Sequence, residues 1–203
     1  MYDFDAGDIS LDFANTRIWH ASTTPEEYLH NYADLVDWGV RAGLITLEIA
    51  DQLNQIADEH RDVATKRYEF AIRVREAIYR IFSNQYAGTP IPEADLALLN
   101  SVARQAMAHL QLTLLGSKYQ WQLPTNLEGA NLVLWPVARA AADLLTSEIA
   151  SRVRVCEDDR GCGYLFIDNT KNHSRRWCSM ESCGNRAKAR RYYSRVQTKV
   201  QST

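Results

Sequence analysis

Four cysteines, the only ones among 203 residues, lie within a stretch of 28 residues near the C-terminus: Cys156, Cys162, Cys178 and Cys183. They form two close pairs with fifteen residues between them. Thiolates spaced in this way can converge tetrahedrally on one Zn²⁺ ion. The alternatives are two disulfides or four unrelated buried thiols, but disulfides need an oxidising compartment and nothing in the sequence indicates export. We therefore predict one structural zinc ion per chain, bound by these four residues.

The charge of the chain is divided sharply between its two parts. Residues 171–203 carry a net charge of +8, whereas residues 1–170 carry −10. A basic tail on an acidic body indicates a polyanionic partner, although the two parts could instead neutralise each other across an internal interface. We predict DNA as the partner and expect eight side chains to contact it: Arg175, Arg176, Arg186, Lys188, Arg190, Arg191, Arg195 and Lys199.

The segment around the cysteines predicts a small zinc module. Residues 164–168 predict a short strand, residues 169–172 a turn, and residues 173–177 a return toward the second cysteine pair. A helix follows to about Val200, and its apolar stripe is expected to face inward: Ala189, Tyr192, Tyr193, Val196 and Val200. This order is typical of a treble-clef-like module of β-hairpin plus helix. The metal would supply most of its folding free energy, on the order of 10 kcal/mol.

Part of the basic charge has a second explanation. Zn²⁺ with four thiolates carries a formal charge of −2, which the neighbouring Arg175, Arg176 and Arg186 could offset. If the remaining basic side chains make about six contacts with DNA phosphates, the logarithm of affinity should fall with a slope near −5 against the logarithm of salt concentration.

His173 is expected to lie outside the zinc ligand set, because four cysteines already complete it.

The acidic body predicts several helices. The sequence 24–27, Thr-Pro-Glu-Glu, is typical of a helix start with Thr24 as cap. Further helices are expected from about Thr46, over residues 62–86, from Pro92 to about residue 106, and over residues 131–151. Pro136 must either begin or kink the last of these.

A change of period between these helices predicts a β-hairpin. Apolar residues alternate on both sides of Gly116 and Ser117: Leu110, Leu112 and Leu114 before the turn, and Tyr119, Trp121 and Leu123 after it. The chain is thus predicted to be mainly α, with a helical domain at 1–151 and a zinc module at 152–203.

One segment before the first predicted helix mixes polar and apolar residues. Asp12, Asn15, Thr16 and Arg17 could line a pocket for a small-molecule effector. Alternatively, the segment is a turn whose side chains bond to their own backbone.

Other classes of function find little support in the sequence. The N-terminus has no basic and apolar leader, and no stretch has the ~20 apolar residues of a membrane span, so we expect a cytoplasmic protein without membrane contact. Glycine-rich phosphate loops, nucleophile elbows and paired histidine motifs are missing. Four thiolates would leave zinc no open position for catalysis, so we expect no enzyme.

The C-terminal motif resembles the signature of CGNR zinc-finger proteins. The resemblance rests on Arg-Arg-Trp-Cys-Ser-Met at 175–180, on Cys-Gly-Asn-Arg-Ala-Lys at 183–188 and on Leu-Phe-Ile-Asp at 165–168. Leu-Asp-Phe-Ala-Asn-Thr at 11–16 is similar to the opening of the helical ABATE domain that accompanies this finger. One departure is that five residues separate Cys156 from Cys162, where about four are expected.

This resemblance implies a bacterial, stress-induced transcription regulator. Its zinc finger would bind DNA, with Arg175, Arg176, Arg186 and Lys188 as the basic positions of the motif. The helical domain would sense a ligand or form a homodimer. A second hypothesis is a scaffold in which zinc staples the tail and the basic helix binds an acidic protein without DNA.

Overall fold

A computed structural model of the chain describes residues 2–122 and 131–200, with residues 194–200 described by their backbone alone. The helices are α1 (Ile9–Ala14), α2 (Tyr32–Arg41), α3 (Leu47–Glu59), α4 (Arg61–Ala87), α5 (Glu93–His109), α6 (Leu134–Thr146) and α7 (Asn185–Val200). Three antiparallel pairs of strands join β1 (Arg17–Ile18) to β2 (Glu26–Glu27), β3 (Gln111–Leu115) to β4 (Lys118–Gln122), and β5 (Val153–Val155) to β6 (Leu165–Ile167). The prediction of a mainly α fold with a small zinc-type module is confirmed.

Most helix ends follow the signals in the sequence. Thr46 caps α3 by accepting a hydrogen bond from the N–H of Ile49 at 3.3 Å. Gly88 ends α4 in the left-handed conformation, with φ of 67°. Pro136 lies in the first turn of α6, where its missing N–H leaves no bond unmade, so it begins the helix rather than kinking it. A 3₁₀ turn, Glu148–Arg152, follows α6.

The helix predicted to start at Thr24 is wrong. Glu26–Glu27 forms strand β2 against β1, and the helix begins only at Tyr32. Asn31 is its cap and accepts a hydrogen bond from the N–H of Asp34 at 3.0 Å. The Asp34 carboxylate in turn accepts a bond from the N–H of His30 at 2.7 Å. This second capping signal lies seven residues after the first. The helix begins at the second signal because Glu27 binds Arg75 in the core and so does not cap a helix that starts at Thr24.

The core of the body lies where α1 packs between α4 and α6. Leu11 and Phe13 of α1 are fully buried, and the ring of Phe13 lies 5.0 Å from that of Trp38. Short α1 is therefore enclosed on several sides, which explains why its few polar residues must find partners inside the protein.

The predicted hairpin is present as β3 and β4, joined through Gly116. Opposed pairs Leu112–Trp121 and Leu114–Tyr119 share one face, and all four side chains are more than half exposed. Leu123, which the sequence assigns to the second strand, lies outside the described residues. The alternation therefore reflects strand structure correctly, but this face is not part of the core.

The strand partner predicted for residues 164–168 is wrong. Strand β6 pairs with β5, which precedes the first cysteine, and residues 173–177 form no strand. The loop of this hairpin carries Cys156 and Cys162. Val153, Leu165 and Ile167 are buried in the core of the body, whereas Phe166 on the other face of β6 is buried in a small separate cluster with Cys156 and Cys183, so β6 joins the two cores.

Among the described residues, none of the helices is both long and apolar enough to span a lipid bilayer.

Candidate metal centre and nucleic-acid interface

The four cysteine sulfurs converge on one point. All four Sγ atoms lie within 4.8 Å of one another, and Cys178 Sγ is 3.7 Å from both Cys162 Sγ and Cys183 Sγ. None of the four cysteines forms a disulfide. Sulfurs placed ~2.3 Å from a tetrahedral zinc ion are about 3.8 Å apart, so the observed separations match a Cys₄ zinc site. His173 lies outside this group, and its Nδ1 is 3.2 Å from the carbonyl oxygen of Asp168.

The thiols need a cation to ionise together. Without one, the Cys162 thiol donates to Cys156, which raises the pKa of Cys162 to about 12. Hydrogen bonding of the Cys178 thiol to Cys156 and Cys162 raises the pKa of Cys178 as well. Burial raises the pKa of Cys183. A dication at the centre removes this barrier because it binds the thiolates directly. The donor set therefore suits a structural zinc ion, with Cys₄ ligation closing the coordination sphere.

Different short elements position the two cysteine pairs. The first pair is held by the loop between β5 and β6, where the Cys156 N–H donates to the carbonyl of Tyr164 at 2.8 Å. The second pair lies around a π-helical turn, Met180–Gly184, which is capped by the Ser179 side chain. The segment before the second pair lies beside the first loop, where the Glu157 N–H donates to the carbonyl of Arg176 at 2.9 Å.

The first loop is pressed against the body at a glycine. Gly161 has φ of 86°, and a Cβ there would lie 2.6 Å from the backbone N and Cα of Ser22. The N–H of Ala21 donates to Gly161 and that of His20 to Cys162, at 3.2 and 3.1 Å. Only glycine combines this φ with so close an approach of two backbones.

Replacing Gly161 by alanine should therefore destabilise the loop and the metal site together. Gly88→Ala is the matched control because Gly88 has φ of 67° but open space around its Cα. We expect G88A to cost about 1 kcal/mol, and G161A to cost about 2–4 kcal/mol because overpacking adds to the strain. Urea unfolding of the zinc-loaded protein measures both. Equal costs would contradict the close packing of loop and body.

Asp158 ties helix α7 to the metal loop. Its side chain is buried and contacts Arg186 Nε at 3.4 Å and Arg190 Nη2 at 3.2 Å. Arg186 Nη2 also donates to Cys183 Sγ at 3.0 Å. Burial alone would raise the pKa of Asp158, but hydrogen bonds from the Arg160 N–H and from guanidinium groups lower it well below its usual range. Sequence reasoning missed Asp158, since nothing in the acidic run Glu157-Asp158-Asp159 marks which carboxylate is buried.

Two further predicted DNA contacts are engaged within the module. Arg175 donates to the carbonyls of Trp177 and Cys178, and its guanidinium lies 4.5 Å from the centre of the Phe166 ring. Its N–H donates to the buried carboxylate of Asp168 at 2.8 Å. Arg176 pairs with Glu157 at 2.6 Å but stays 54% exposed. Of Arg175, Arg176 and Arg186, Arg186 is the one seen to contact a cysteine sulfur among the described residues, so charge offset at the thiolates, the second explanation offered by the sequence, is supported for Arg186.

The outer surface of α7 is basic and aromatic. Lys188 and Arg191 are exposed, and Arg191 lies 5.5 Å from the centre of the Trp177 ring. The predicted inward apolar stripe is wrong where it is described, because Ala189 is exposed and Tyr192 and Tyr193 are each 65% exposed. The helix turns Arg186 and Arg190 toward the module instead. The side chains of Arg195, Val196, Lys199 and Val200 lie outside the described residues.

The proposed effector segment is occupied by internal contacts. The Asn15 side chain clamps β6 by donating to the Leu165 carbonyl at 2.8 Å and accepting from the Leu165 N–H at 2.9 Å. Thr16 Oγ1 donates to the carbonyl of Phe13 at 2.8 Å. Arg17 lies 3.6 Å from Glu76. Asn15 thus joins the body to β6, while the Thr16 bond is of the kind expected from the alternative that side chains of this segment bond to their own backbone.

Asp12 is the most perturbed group in that segment. It is 6% exposed and accepts a hydrogen bond from the N–H of Ala6 at 3.0 Å. Burial raises its pKa to about 6. The cavity that it lines with Asn15 and Thr16 measures only about 10 Å³, room for about one water molecule.

Arg75 forms a buried ionic network that sequence reasoning missed. Its side chain is fully buried and forms two hydrogen bonds to the Glu27 carboxylate, at 2.6 and 2.7 Å. It also donates to Glu76 at 2.8 Å and to Thr16 at 3.2 Å. In the sequence Arg75 only interrupts an apolar stripe, because its partner Glu27 lies 48 residues away.

Comparison with known families fits this architecture. A family model described as "Putative stress-induced transcription regulator", ABATE, matches residues 7–148. The chain belongs to the ABATE family. A second model, the CGNR zinc finger, matches residues 152–196. No curated protein matches the chain.

The CGNR model matches the same residues in which the four cysteine sulfurs converge. This ABATE-family protein therefore has a C-terminal zinc finger that binds one structural zinc ion through Cys156, Cys162, Cys178 and Cys183. Helix α7 starts immediately after the last of these ligands, so the metal centre fixes the beginning of the most basic helix in the described part of the chain.

Proposed function

We propose that this ABATE-family protein is a DNA-binding transcription regulator whose CGNR zinc finger presents α7 to the phosphate backbone. The observation that carries the proposal is the two-sided character of that helix. Arg186 and Arg190 anchor it to Asp158 beside the zinc ligands, while Lys188 and Arg191 extend from the other side into solvent. A rigidly rooted helix with free cationic side chains suits contact with phosphates.

The expected number of phosphate contacts follows from the partners of each cation. Arg175, Arg176, Arg186 and Arg190 already contact groups within the protein. Among the described side chains, Lys188 and Arg191 are the exposed predicted positions. With Arg195 and Lys199, whose side chains lie outside the described residues, we count at most four phosphate contacts. At ~0.9 per contact, the slope of log affinity against log salt should be about −3.6, shallower than six contacts would give.

Alanine at Arg191, Arg195 and Lys199 should remove most of the DNA affinity. We expect the salt slope of the triple variant to fall to about −1, with affinity at low salt lowered at least roughly 100-fold. Fluorescence anisotropy of the full zinc-loaded chain on a random duplex of about 20 base pairs measures both. The matched control replaces Lys66, Arg73 and Arg104, which are exposed on the body, and removes the same charge.

A salt slope near zero in the unmodified protein would contradict DNA binding. Equal losses in the triple variant and in the control would show that only overall charge matters. Either result would favour the second candidate, a zinc-stapled scaffold that binds an acidic protein. The exposed Tyr192 and Tyr193 favour that candidate, since aromatic side chains are enriched at protein interfaces.

The proposal extends to the role of the body and to the setting of the protein. We propose that the ABATE domain senses a small-molecule effector, that the protein acts in a bacterial stress response in the cytoplasm, and that it has no catalytic activity. Closed Cys₄ ligation supports the last point because it leaves zinc no position for a substrate or an activated water.

A homodimer belongs to the same proposal. The apolar face of the β3–β4 hairpin, formed by Leu112, Leu114, Tyr119 and Trp121, exposes roughly 400–500 Å² per chain, which is about half of a standard interface. We expect a weak dimer that forms through this face. Sedimentation velocity over a roughly hundredfold concentration range should show it, and Leu114→Ser with Tyr119→Ser should abolish it. An unchanged monomer at every concentration would contradict it.

A further inference from the structure

A large cavity lies at the end of the body where α6 begins. Its volume is about 620 Å³, it opens to solvent on one side, and it is lined by the α2–α3 connection, the end of α5, strand β4 and the first turns of α6. Sites for small molecules commonly measure ~300–1,000 Å³. The cavity is separate from the segment around Asp12, whose own cavity has room for about one water molecule.

The walls of this cavity are mainly apolar and aromatic. Leu44, Ile45, Ile49 and Leu132 line it together with the indole rings of Trp121 and Trp135. Trp135 is 4% exposed, and the imidazole of His109 stacks on it with ring centres 4.5 Å apart and planes 17° apart. The indole is therefore held in one orientation before any ligand binds, which lowers the entropic cost of binding.

The same tryptophan carries an unsatisfied donor. Its Nε1–H is buried and has no hydrogen-bond acceptor among the described residues. Buried polar groups nearly always have a partner, and an indole N–H can only donate. Because less than 1 Å² of this atom is accessible, the donor is sealed from the cavity, and Trp135 offers the cavity apolar surface and not its N–H.

The charge of the lining limits the class of ligand. Arg139 and Asp143 both line the cavity, and they pair with each other at 3.4 Å. The other lining side chains that belong to the described residues are uncharged. A charged ligand would lose its hydration without gaining an unpaired counter-ion, which is costly in an apolar site.

We propose that this cavity binds an uncharged, largely apolar molecule that packs against the aromatic wall formed by Trp121 and Trp135. The inference rests on the proposed sensing role of the body, because it names the site and the chemical class of the effector. It does not depend on DNA binding, and a binding experiment can test it without DNA.

The test uses Prodan, a neutral naphthalene dye with one carbonyl acceptor whose emission shifts to the blue in apolar sites. We expect saturable binding of one dye per zinc-loaded chain. Ala140→Leu places a larger side chain in the cavity and should weaken binding at least tenfold. Ala97→Leu, on the exposed face of α5, is the matched control and should leave binding unchanged.

The outcomes separate the cavity from other apolar surfaces. Absence of saturable binding, or equal binding by A140L and A97L, would overturn the proposal. Loss of binding in Tyr119→Ser, with A140L unaffected, would place the dye on the exposed hairpin and would also overturn it. The DNA affinity of A140L, measured without dye, should equal that of the unmodified chain, so failure of DNA binding remains a separate result.

Discussion

Replacing Cys178 by serine is expected to release the zinc ion and to unfold the outer finger, by which we mean residues 156–163 and 176–193. A serine hydroxyl is a poor zinc ligand, and the metal-coupled folding free energy at stake is on the order of 10 kcal/mol. Without metal, the sulfurs and Trp177 have only a small apolar cluster to hold them. Native mass spectrometry of the variant should show the chain without zinc.

Limited trypsin digestion should locate this unfolding. In the unmodified protein Arg175 is held by hydrogen bonds to the carbonyls of Trp177 and Cys178, so cleavage after it should be slow. In C178S, cleavage after Arg175 and Arg176 should become rapid, while the helical body persists. Ser174→Ala, at an exposed neighbour, serves as the control. A variant that keeps one zinc ion and resists trypsin would contradict the assignment of Cys178.

Arg75→Ala is expected to be the most damaging single change within the helical body. It leaves the carboxylates of Glu27 and Glu76 without their shared guanidinium, and Thr16 loses a donor. Breaking a buried ion pair from one side costs about 3–5 kcal/mol. Urea unfolding measures the cost. Arg73→Ala, on the exposed side of the same helix, should cost less than about 0.5 kcal/mol.

The network should also leave a signature in acid. Burial alone would raise the pKa of Glu76, but hydrogen bonding to His20 and the charge of Arg75 lower it to about 2. A carboxyl with a lowered pKa in the folded state contributes stability that is present above its unfolded value and is lost as pH falls toward the folded one. Stability of the unmodified protein should therefore fall between about pH 4.5 and pH 2, and R75A should lose less over that interval. Parallel curves would contradict the network.

The zinc site could be predicted because its information is local and chemical. Four cysteines in two pairs admit few other uses, and the family motif around Cys178 and Cys183 adds to them. The fold class was predictable for a similar reason, since caps such as Thr46 and stops such as Gly88 act over a few residues. These signals depend on the backbone nearby and not on distant partners.

Features that depend on distant partners escaped prediction. The segment at Thr24 has the signals of a helix start, yet Glu27 pairs with Arg75 across the core and the chain forms a strand there instead. Tyr192 and Tyr193 lie on an apolar stripe of α7, yet Asp158 draws the basic side of the helix toward the module. In both cases a buried charge determined which surface packs inward, and the sequence pattern does not show where that charge lies.

We expect one zinc ion to hold the outer finger in place on a body that is stable without it. Hydrogen exchange of the purified, reduced protein before and after chelation tests this expectation, with zinc content measured in parallel. We expect one zinc ion per chain. Chelation should remove protection from residues 156–163 and 176–193, while β5, β6 and the helical core stay protected. A chain without stoichiometric zinc, or one whose protection is unchanged by chelation, would contradict it.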